Sequence, residues 1–164
     1  MTLLRALIFS TLLAIPAGPL AAQSTNLAFG AIRADTSLPV EVTAQTLDVN
    51  QADGSAEFNG DVLVAQGEMR LSADRVLVIY DEDQSAIQRL EATGDVVLVS
   101  GPDAAEADRA EYTIGTGVIV MTGNVLLTQG ANALTSDKMT VNLVTGTAQM
   151  VGRVKTILNP DKTE

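Results

Sequence analysis

The sequence lacks three of the residue types on which enzyme and metal sites most often depend. Its 164 residues contain no cysteine, no histidine and no tryptophan. Without cysteine, no disulfide can stabilise the chain. Without histidine, the commonest metal ligand and the commonest general base are both missing. These absences argue against a metal site and against acid–base catalysis, and no catalytic residue, metal site or cofactor is predicted.

Aromatic side chains are also scarce, at 3% of the chain, although the sequence is 46% hydrophobic. A β-sheet core normally uses more aromatic side chains than this. Two explanations remain open at this point. The core is thin and aliphatic, which composition alone favours, or the interior is left partly unfilled for a ligand.

Charge is almost absent from the first 32 residues, where Arg5 is the only charged side chain. An apolar run at 6–15 follows, Pro16 ends it, and small residues lead to Ala22. This order is typical of a secretory signal peptide, and it predicts export with cleavage near Ala22. The alternative is an uncleaved membrane anchor, which needs about 20 apolar residues and is interrupted here by proline.

The chain that remains after residue 22 is strongly acidic. It carries nine basic and twenty acidic residues, a net charge of −11. Such a surface repels polyanions. The sequence therefore predicts no nucleic-acid partner.

A short box of sequence repeats along the chain. Each full copy begins with Gly and Asp or Asn, continues with Val and other aliphatic residues, and ends at Gly; the steps between copies, with a partial copy included, are 34, 29 and 29 residues. The copies are Gly60–Gly67, Gly94–Gly101, Gly123–Gly130 and the partial copy Gly152–Val154. A fixed period is the signature of stacked supersecondary units, and β-branched runs bounded by Gly, Asn or Asp indicate that each unit is a β-hairpin.

An aspartate follows each full box by fourteen residues, at Asp74, Asp108 and Asp137, between a small and a basic residue. Leu71 before the first of them and Val76 after it would face opposite sides of an unbroken strand. A bulge at the aspartate would return both to one interior. We therefore interpret the three aspartates as structural corner residues. The alternative, a set of catalytic carboxylates, is weaker because each aspartate has a cation beside it and no His or Cys partner.

The segment at 38–44, the repeated boxes and the Ala73–Val76 step resemble the OstA-like domain family, to which LptA-type lipopolysaccharide transport proteins belong. The resemblance covers Leu38 to about Pro160. It implies an all-β fold, an open, twisted, V-shaped β-jelly roll of two antiparallel sheets. It also implies no enzyme activity, and a function in carrying lipopolysaccharide from the inner to the outer membrane, with the lipid A acyl chains shielded in an apolar groove.

The resemblance also implies site residues. The groove positions are listed here, the first three by direct match to the family, the fourth as the neighbour of Tyr112, and the others by alternation: Val40, Val42, Tyr112, Ile114, Phe58, Val62, Val64, Met69, Leu71, Val76, Val78 and Val120. Family members join head to tail through strand edges, which predicts an LptC-like inner-membrane partner at one edge, an LptD-like outer-membrane receptor at the other, and a possible homo-oligomer. The predicted edge residues are Val40, Glu41 and Val42 at the N-terminal edge, and Val154, Lys155, Thr156 and Ile157 at the C-terminal edge.

The predicted organisation is therefore a signal peptide at 1–22, a flexible segment at 23–37, the β-jelly roll at 38–160 and a tail at 161–164. The chain lacks the long basic C-terminal extension of better-known family members, which leaves the strength of self-association open. A second class of function stays open, a structural β-solenoid that polymerises without lipid cargo. The 29-residue period fits antiparallel hairpins better than solenoid coils.

Overall fold

The computed structural model describes residues 26–28, 34–52, 54–83 and 85–158. The predicted signal peptide and the predicted tail lie outside these residues. The strands are β1 (Asn26–Ala28), β2 (Glu41–Thr43), β3 (Thr46–Asn50), β4 (Ser55–Gln66), β5 (Met69–Tyr80), β6 (Ile87–Ser100), β7 (Asp103–Thr113), β8 (Val118–Gln129), β9 (Asn132–Asn142), β10 (Thr147–Val151) and β11 (Lys155–Ile157), with a 3₁₀ turn at Ile114–Thr116. Within the described ranges, no helix is long and apolar enough to cross a bilayer.

The strands form one continuous antiparallel ladder. From β4 to β10 each strand pairs with the next in sequence, while β2 and β3 both pair with β4 and β11 and β10 both pair with β9. The first strand, β1, adds to the outer edge of β10. The repeated boxes therefore belong to successive hairpins, as their spacing predicts.

A line of register shifts divides every long strand in two. The shifts fall between residues 59 and 62, 72 and 75, 93 and 96, 106 and 109, and 122 and 125. We call this line the corner line. The corner line separates two arms. The first arm consists of β2, β11 and residues 62–66, 69–73, 96–100, 103–107, 125–129 and 132–136. The second arm consists of β1, β3, β10 and residues 55–59, 75–80, 87–93, 109–113, 118–122 and 138–142. The two sheets of the predicted open fold are thus the two arms of one ladder, which share one apolar core.

The chemistry of the corner line repeats with the boxes. The first two residues of each box have positive φ, as at Gly123 (+81°) and Asn124 (+48°). A Cβ on Gly123 would collide with the carboxylate of Asp108 on the neighbouring strand, and the same arrangement recurs between Asp74 and Gly94. Glycine is thus required at the corner both for its backbone conformation and for the space that the aspartate occupies.

The aspartates reset the side-chain phase as predicted. Ala73 and Val76 are both buried while Asp74 and Arg75 between them are exposed, and the same pattern surrounds Asp108. Two consecutive outward residues shift the alternation by one position, as in a β-bulge. The interpretation of these aspartates as corner residues is confirmed.

Strand β1 lies inside the segment 23–37, whose expected flexibility remains a prediction. Two details differ from the expectation drawn from the sequence. The apolar run at 141–144 predicts a strand, but the strand ends at Asn142 because residues 143–146 form the turn to β10. The first half of β7 gave no strand signal, since it is rich in Ala, Asp and Glu, which have low strand propensity.

Candidate functional site: an apolar interior with one open end

Two rows of apolar side chains run along the inner face of the second arm, one residue from each strand. The register of the ladder places these residues side by side. One row is Leu47, Phe58, Val76, Ala92, Ala110, Met121, Met139 and Met150; the other is Val49, Ala56, Val78, Leu90, Tyr112, Ile119, Val141 and Ala148. The interior is therefore continuous from β3 to β10.

The inner face of the first arm supplies the opposing wall. Its central row comprises Val42, Val64, Leu71, Leu98, Ala105, Leu127, Leu134 and Thr156. All but the first and last of these eight are buried. Aliphatic and small side chains thus face each other across the interior, with no charged group in these three rows.

Most of the predicted groove residues lie deep in this interior. Val62, Val64, Met69, Leu71, Val76, Val78 and Tyr112 are at most 2% exposed. The two arms therefore close on each other at these positions and form a packed aliphatic core. A long ligand can reach these residues only if the arms move apart.

The other predicted groove residues lie at the margins. Val40, Val42, Phe58 and Ile114 are partly buried and pack against the core. Val120 was predicted to face the interior, and this is wrong. It lies between Ile119 and Met121, which are both fully buried, so period-two alternation turns Val120 to the outer face, opposite Glu111.

The interior opens at the N-terminal end of the ladder. Leu47 and Val49 belong to the two apolar rows of the second arm, but β3 is an edge strand and they are 52% and 65% exposed. Together with Phe58 and Tyr80 they border a cavity of about 540 Å³. The structure thus presents an exposed apolar surface where the interior rows end.

One polar link ties the two arms together inside the core. The phenol of Tyr112, on the second arm, donates a hydrogen bond of 2.6 Å to Oε1 of Gln66, on the first arm. Burial raises the pKa of Tyr112 to about 12, which keeps the phenol neutral and able to donate. A buried amide and phenol that lost each other would each be left unsatisfied, so this bond favours the closed arrangement.

The same glutamine holds the segment that precedes β2. Nε2 of Gln66 donates to the carbonyl oxygen of Leu38 at 2.9 Å and lies 3.3 Å from that of Thr36. We call residues 34–40 the strap. Its Thr36 lies beside Gly117, at a hairpin tip of the second arm, and its Leu38 lies over Gly67, at a tip of the first arm. The strap therefore crosses the open side of the fold from one arm to the other.

The two edges of the ladder differ in how far each is covered by another strand. At the N-terminal edge, β2 and β3 pair only with β4 among the described strands. At the C-terminal edge, β11 likewise pairs only with β9, whereas β1 covers β10. Of the predicted edge residues, Glu41 opposes Ala65 in the first arm. Val154 precedes β11 and is 49% exposed, and Lys155, Thr156 and Ile157 are all exposed.

The acidic residues of the corner line are used in structure. Gln45 Nε2 donates to Asp61 Oδ2 at 2.6 Å, Asn124 Nδ2 donates to Asp108 Oδ2 at 3.0 Å, and Arg153 donates to Asp137. No group of three or more acidic side chains able to hold a metal ion occurs in the part of the chain that the structure describes. The corner line therefore offers polar links between neighbouring strands.

The fold and this interior define an open antiparallel β-jelly roll with an apolar core between two arms. The sequence profile of the family described as "LptA/(LptD N-terminal domain) LPS transport protein" matches residues 41–147, and the chain belongs to this family. It is 27% identical over 107 residues to an uncharacterised protein of Rhizobium meliloti (strain 1021), covering 61% of this chain and 58% of that protein. The chain thus spans little more than half the length of that relative.

The fold is also similar to a solved structure, the crystal structure of LptH, described as the LptA homologous periplasmic component of the conserved lipopolysaccharide transport device from Pseudomonas aeruginosa. The TM-score is 0.69 at 17% identity, and the match covers 77% of this chain and 99% of that one. At this identity the likeness shows the fold. It agrees with the family assignment made from the sequence profile.

Sequence reasoning missed Leu47, Val49 and Gln66. The first two stand at alternating positions after Gln45, which occupies the place of the corner aspartate one unit upstream, so their phase was visible but their exposure was not. Gln66 precedes the last glycine of the first box, where the other boxes carry Ser100 and Gln129. A polar residue at an inward position of each box was the available signal.

Proposed function

We propose that this chain is a periplasmic lipopolysaccharide carrier that shields lipid A acyl chains between its two arms during transport from the inner to the outer membrane. The observation that carries the proposal is the pair of apolar rows that run the length of the interior and emerge at Leu47 and Val49. Family membership supports the transport role. No enzyme activity is part of this function.

The physical reason for such a carrier is the cost of exposing acyl chains to water. Each exposed CH₂ costs about 0.8 kcal/mol, so one acyl chain of a dozen carbons loses roughly 10 kcal/mol outside a bilayer. An interior lined by aliphatic side chains removes this cost. The sugar and phosphate groups stay in solvent, because the interior rows carry no charged group and their one buried hydroxyl, on Tyr112, is already bonded to Gln66.

Binding requires the arms to separate. The residues at the centre of the interior are almost completely buried, and the Tyr112–Gln66 bond and the strap hold the arms together. We propose that acyl chains enter at Leu47 and Val49 and then replace the contacts between the arms. Apolar contacts are exchanged for apolar contacts in this step, so the main local cost is the loss of the polar link.

The edges of the ladder are the proposed partner sites. The free N-terminal edge, β2 and β3, receives an LptC-like inner-membrane protein, and the C-terminal edge, β10 and β11, joins the next copy or an LptD-like outer-membrane receptor. Exposed strand edges normally invite aggregation, and strand addition turns the same unpaired backbone groups into a specific contact. The alternative of a β-solenoid fits less well, because all described strand pairs are antiparallel.

The test places a charge at the open end without disturbing the core. Leu47→Glu and Val49→Glu alter side chains that are more than half exposed, so folding is expected to persist. Val144→Glu, at a residue 62% exposed in the turn between β9 and β10, is the matched control. Binding of purified lipopolysaccharide is measured by displacement of a fluorescent acyl probe.

We expect each open-end variant to bind at least about tenfold more weakly, equivalent to about 1.4 kcal/mol, and the control to bind as the parent does. Circular dichroism verifies that all three variants remain folded. Equal loss of binding in all variants, or undiminished binding in Leu47→Glu and Val49→Glu, would rule out entry at this end. A parent protein that binds no lipopolysaccharide contradicts the proposed function as a whole.

A further inference from the structure

The two edges of the ladder have the same construction. At the N-terminal edge, the three residues of β2 and the five of β3 are separated by Ala44 and Gln45. At the C-terminal edge, the five residues of β10 and the three of β11 are separated by Gly152, Arg153 and Val154. The chain runs from the first to the second arm at one edge and back at the other, so the two edges can pair in the antiparallel sense.

The corner line continues into both edges. Gly152 (φ +82°) and Arg153 (φ +42°) repeat the conformation of Gly123 and Asn124 in β8. At the other edge, Gln45 lies against Gly60 as Asp137 lies against Gly152. The C-terminal edge therefore has the backbone geometry of β8, and the N-terminal edge has that of β9, which are neighbours inside the molecule.

This equivalence fixes a register for the junction between two copies. Inside the molecule, Val120 opposes Thr140 and Met121 opposes Met139. The equivalent positions place Gln149 of one copy opposite Asp48 of the next, and Met150 opposite Leu47. The exposed Leu47 and Val49 would then continue the interior rows beyond Met150 and Ala148 of the neighbouring copy.

In the single chain, β1 pairs with the outer edge of β10, where β3 of the next copy would lie. Its three residues pair with β10 in the register Asn26–Gln149, Leu27–Ala148 and Ala28–Thr147. β10 already pairs with β9 on its other side, so only one strand can add to its outer edge. A strand of three residues is also a short competitor for the five residues of β3.

We propose that β1 is a removable cap on the C-terminal edge, and that β3 of a second copy of this chain replaces it in the register Gln149 opposite Asp48. The inference rests on the head-to-tail contact in the proposed function and goes beyond it, because it assigns the N-terminal strand the role of limiting that contact. Displacement of β1 exposes the half of the C-terminal edge that lies in the second arm. Among the described strands none pairs with the outer edge of β11, and this half gives the incoming copy a first contact.

The experiment uses the absence of native cysteine. In Asn26→Cys/Gln149→Cys, the two introduced residues are directly opposed, the position from which cross-strand disulfides form. We expect the oxidised protein to stay monomeric over a concentration range in which the same protein, once reduced, forms oligomers by light scattering. Asn26→Cys alone controls for the redox conditions.

A second pair of variants tests the register of the junction between two copies. In Asp48→Cys/Gln149→Cys, oxidation should join copies into a ladder of disulfide-linked oligomers, whereas Asn50→Cys/Gln149→Cys, displaced by two residues, should link at least about fivefold less, because diagonal neighbours are about 7–8 Å apart. Neither pair includes a residue of β1, so this test does not depend on the disulfide between positions 26 and 149.

Three results would overturn the inference. The first is equal oligomerisation of Asn26→Cys/Gln149→Cys in the oxidised and reduced states, and the second is equal cross-linking by Asn50→Cys/Gln149→Cys and Asp48→Cys/Gln149→Cys. The third is a reduced Asn26→Cys/Gln149→Cys protein that remains monomeric. The last result leaves the carrier function to be decided by the lipopolysaccharide binding measurement. Conversely, a parent protein that oligomerises in the stated register and binds no lipid supports the cap and contradicts the carrier.

Discussion

The corner line and the interior lie side by side in this molecule and depend on different physical properties. At the corner line the residues are exposed or partly exposed and polar, and the structure depends on backbone conformation and on the space above each glycine. In the interior the side chains are apolar and nearly fully buried, with Tyr112 and Gln66 as a buried polar pair that links the arms. The first region should therefore respond to steric changes and the second to unsatisfied polar groups.

The largest effect is expected from adding a methyl group at the corner. Gly123→Ala forces φ +81° on a side-chain residue and drives its Cβ into Asp108. A left-handed conformation costs about 1–2 kcal/mol and displacing the aspartate costs more, so we expect a loss of about 2–4 kcal/mol in the free energy of unfolding, measured with urea.

Two other glycines separate these causes. Gly130→Ala has a positive φ of +55° but open space around the Cβ, so it should cost about 1 kcal/mol. Gly115→Ala has open space without a positive φ and should be close to neutral. Similar losses in all three variants would mean that the aspartate above the corner glycine is unimportant.

A second test concerns the polar link in the interior. Gln66→Leu removes the acceptor of the Tyr112 phenol and the donor to the strap carbonyls of Thr36 and Leu38. This should lower the free energy of unfolding by about 2–3 kcal/mol. Tyr112→Phe should cost less, about 1–2 kcal/mol, because Gln66 keeps its bonds to the strap.

The double variant completes the cycle. If the two side chains interact as described, Gln66→Leu/Tyr112→Phe should lose about 1 kcal/mol less than the sum of the single variants. Strict additivity in urea unfolding would show that the 2.6 Å bond does not couple the two arms.

A smaller effect is expected where two corner carboxylates face the same site. Asp74 and Asp95 occupy the places that Asp108 and Asn124 occupy one unit further on, where the amide donates to the carboxylate. Asp95→Asn replaces a like-charge pair with the hydrogen-bonding pair and should stabilise the fold by about 0.5 kcal/mol. Asp61→Asn is the matched control and should give no gain, because Asp61 already accepts a hydrogen bond from Gln45.

The smallest effect concerns the last corner, where Arg153 binds Asp137. The hydrogen bonds from Arg153 hold the pKa of Asp137 below its ordinary value. A depressed carboxyl pKa contributes stability above the unfolded-state pKa near 4, and this contribution disappears as the pH falls through the folded-state pKa. Arg153→Ala should therefore lower stability slightly at pH 7 and have no effect at the acid end of a pH series of urea unfolding curves. An equal effect at both ends, or an effect that survives 1 M salt, would contradict an ionic origin.

Much of the corner line could be predicted because its causes are local. A glycine followed by Asp or Asn, and an aspartate fourteen residues later, specify positive φ and a change of phase through short-range sterics. The phase of Leu71 and Val76 on the two sides of Asp74 followed from the same pattern. The errors arose where an adjacent residue or an adjacent strand decides which way a side chain faces or whether a strand forms. Val120 was assigned to the wrong face although Ile119 and Met121 beside it fixed the alternation, and the first half of β7 was missed because its pairing with β6 and β8 outweighs its weak intrinsic preference.

The sequence by itself determined the hairpin repeat, the corner positions and the apolar phase of most strands, because these depend on backbone conformation and period-two alternation within a few residues. Only the tertiary structure decided that the arms close on each other, that Gln66 joins Tyr112 to the strap, and that β1 covers β10. Tyr112 and Gln66 are 46 residues apart in sequence, and β1 and β10 are separated by most of the chain. Contacts between such distant segments are set by the packing of the whole ladder, and no local pattern in the sequence encodes them.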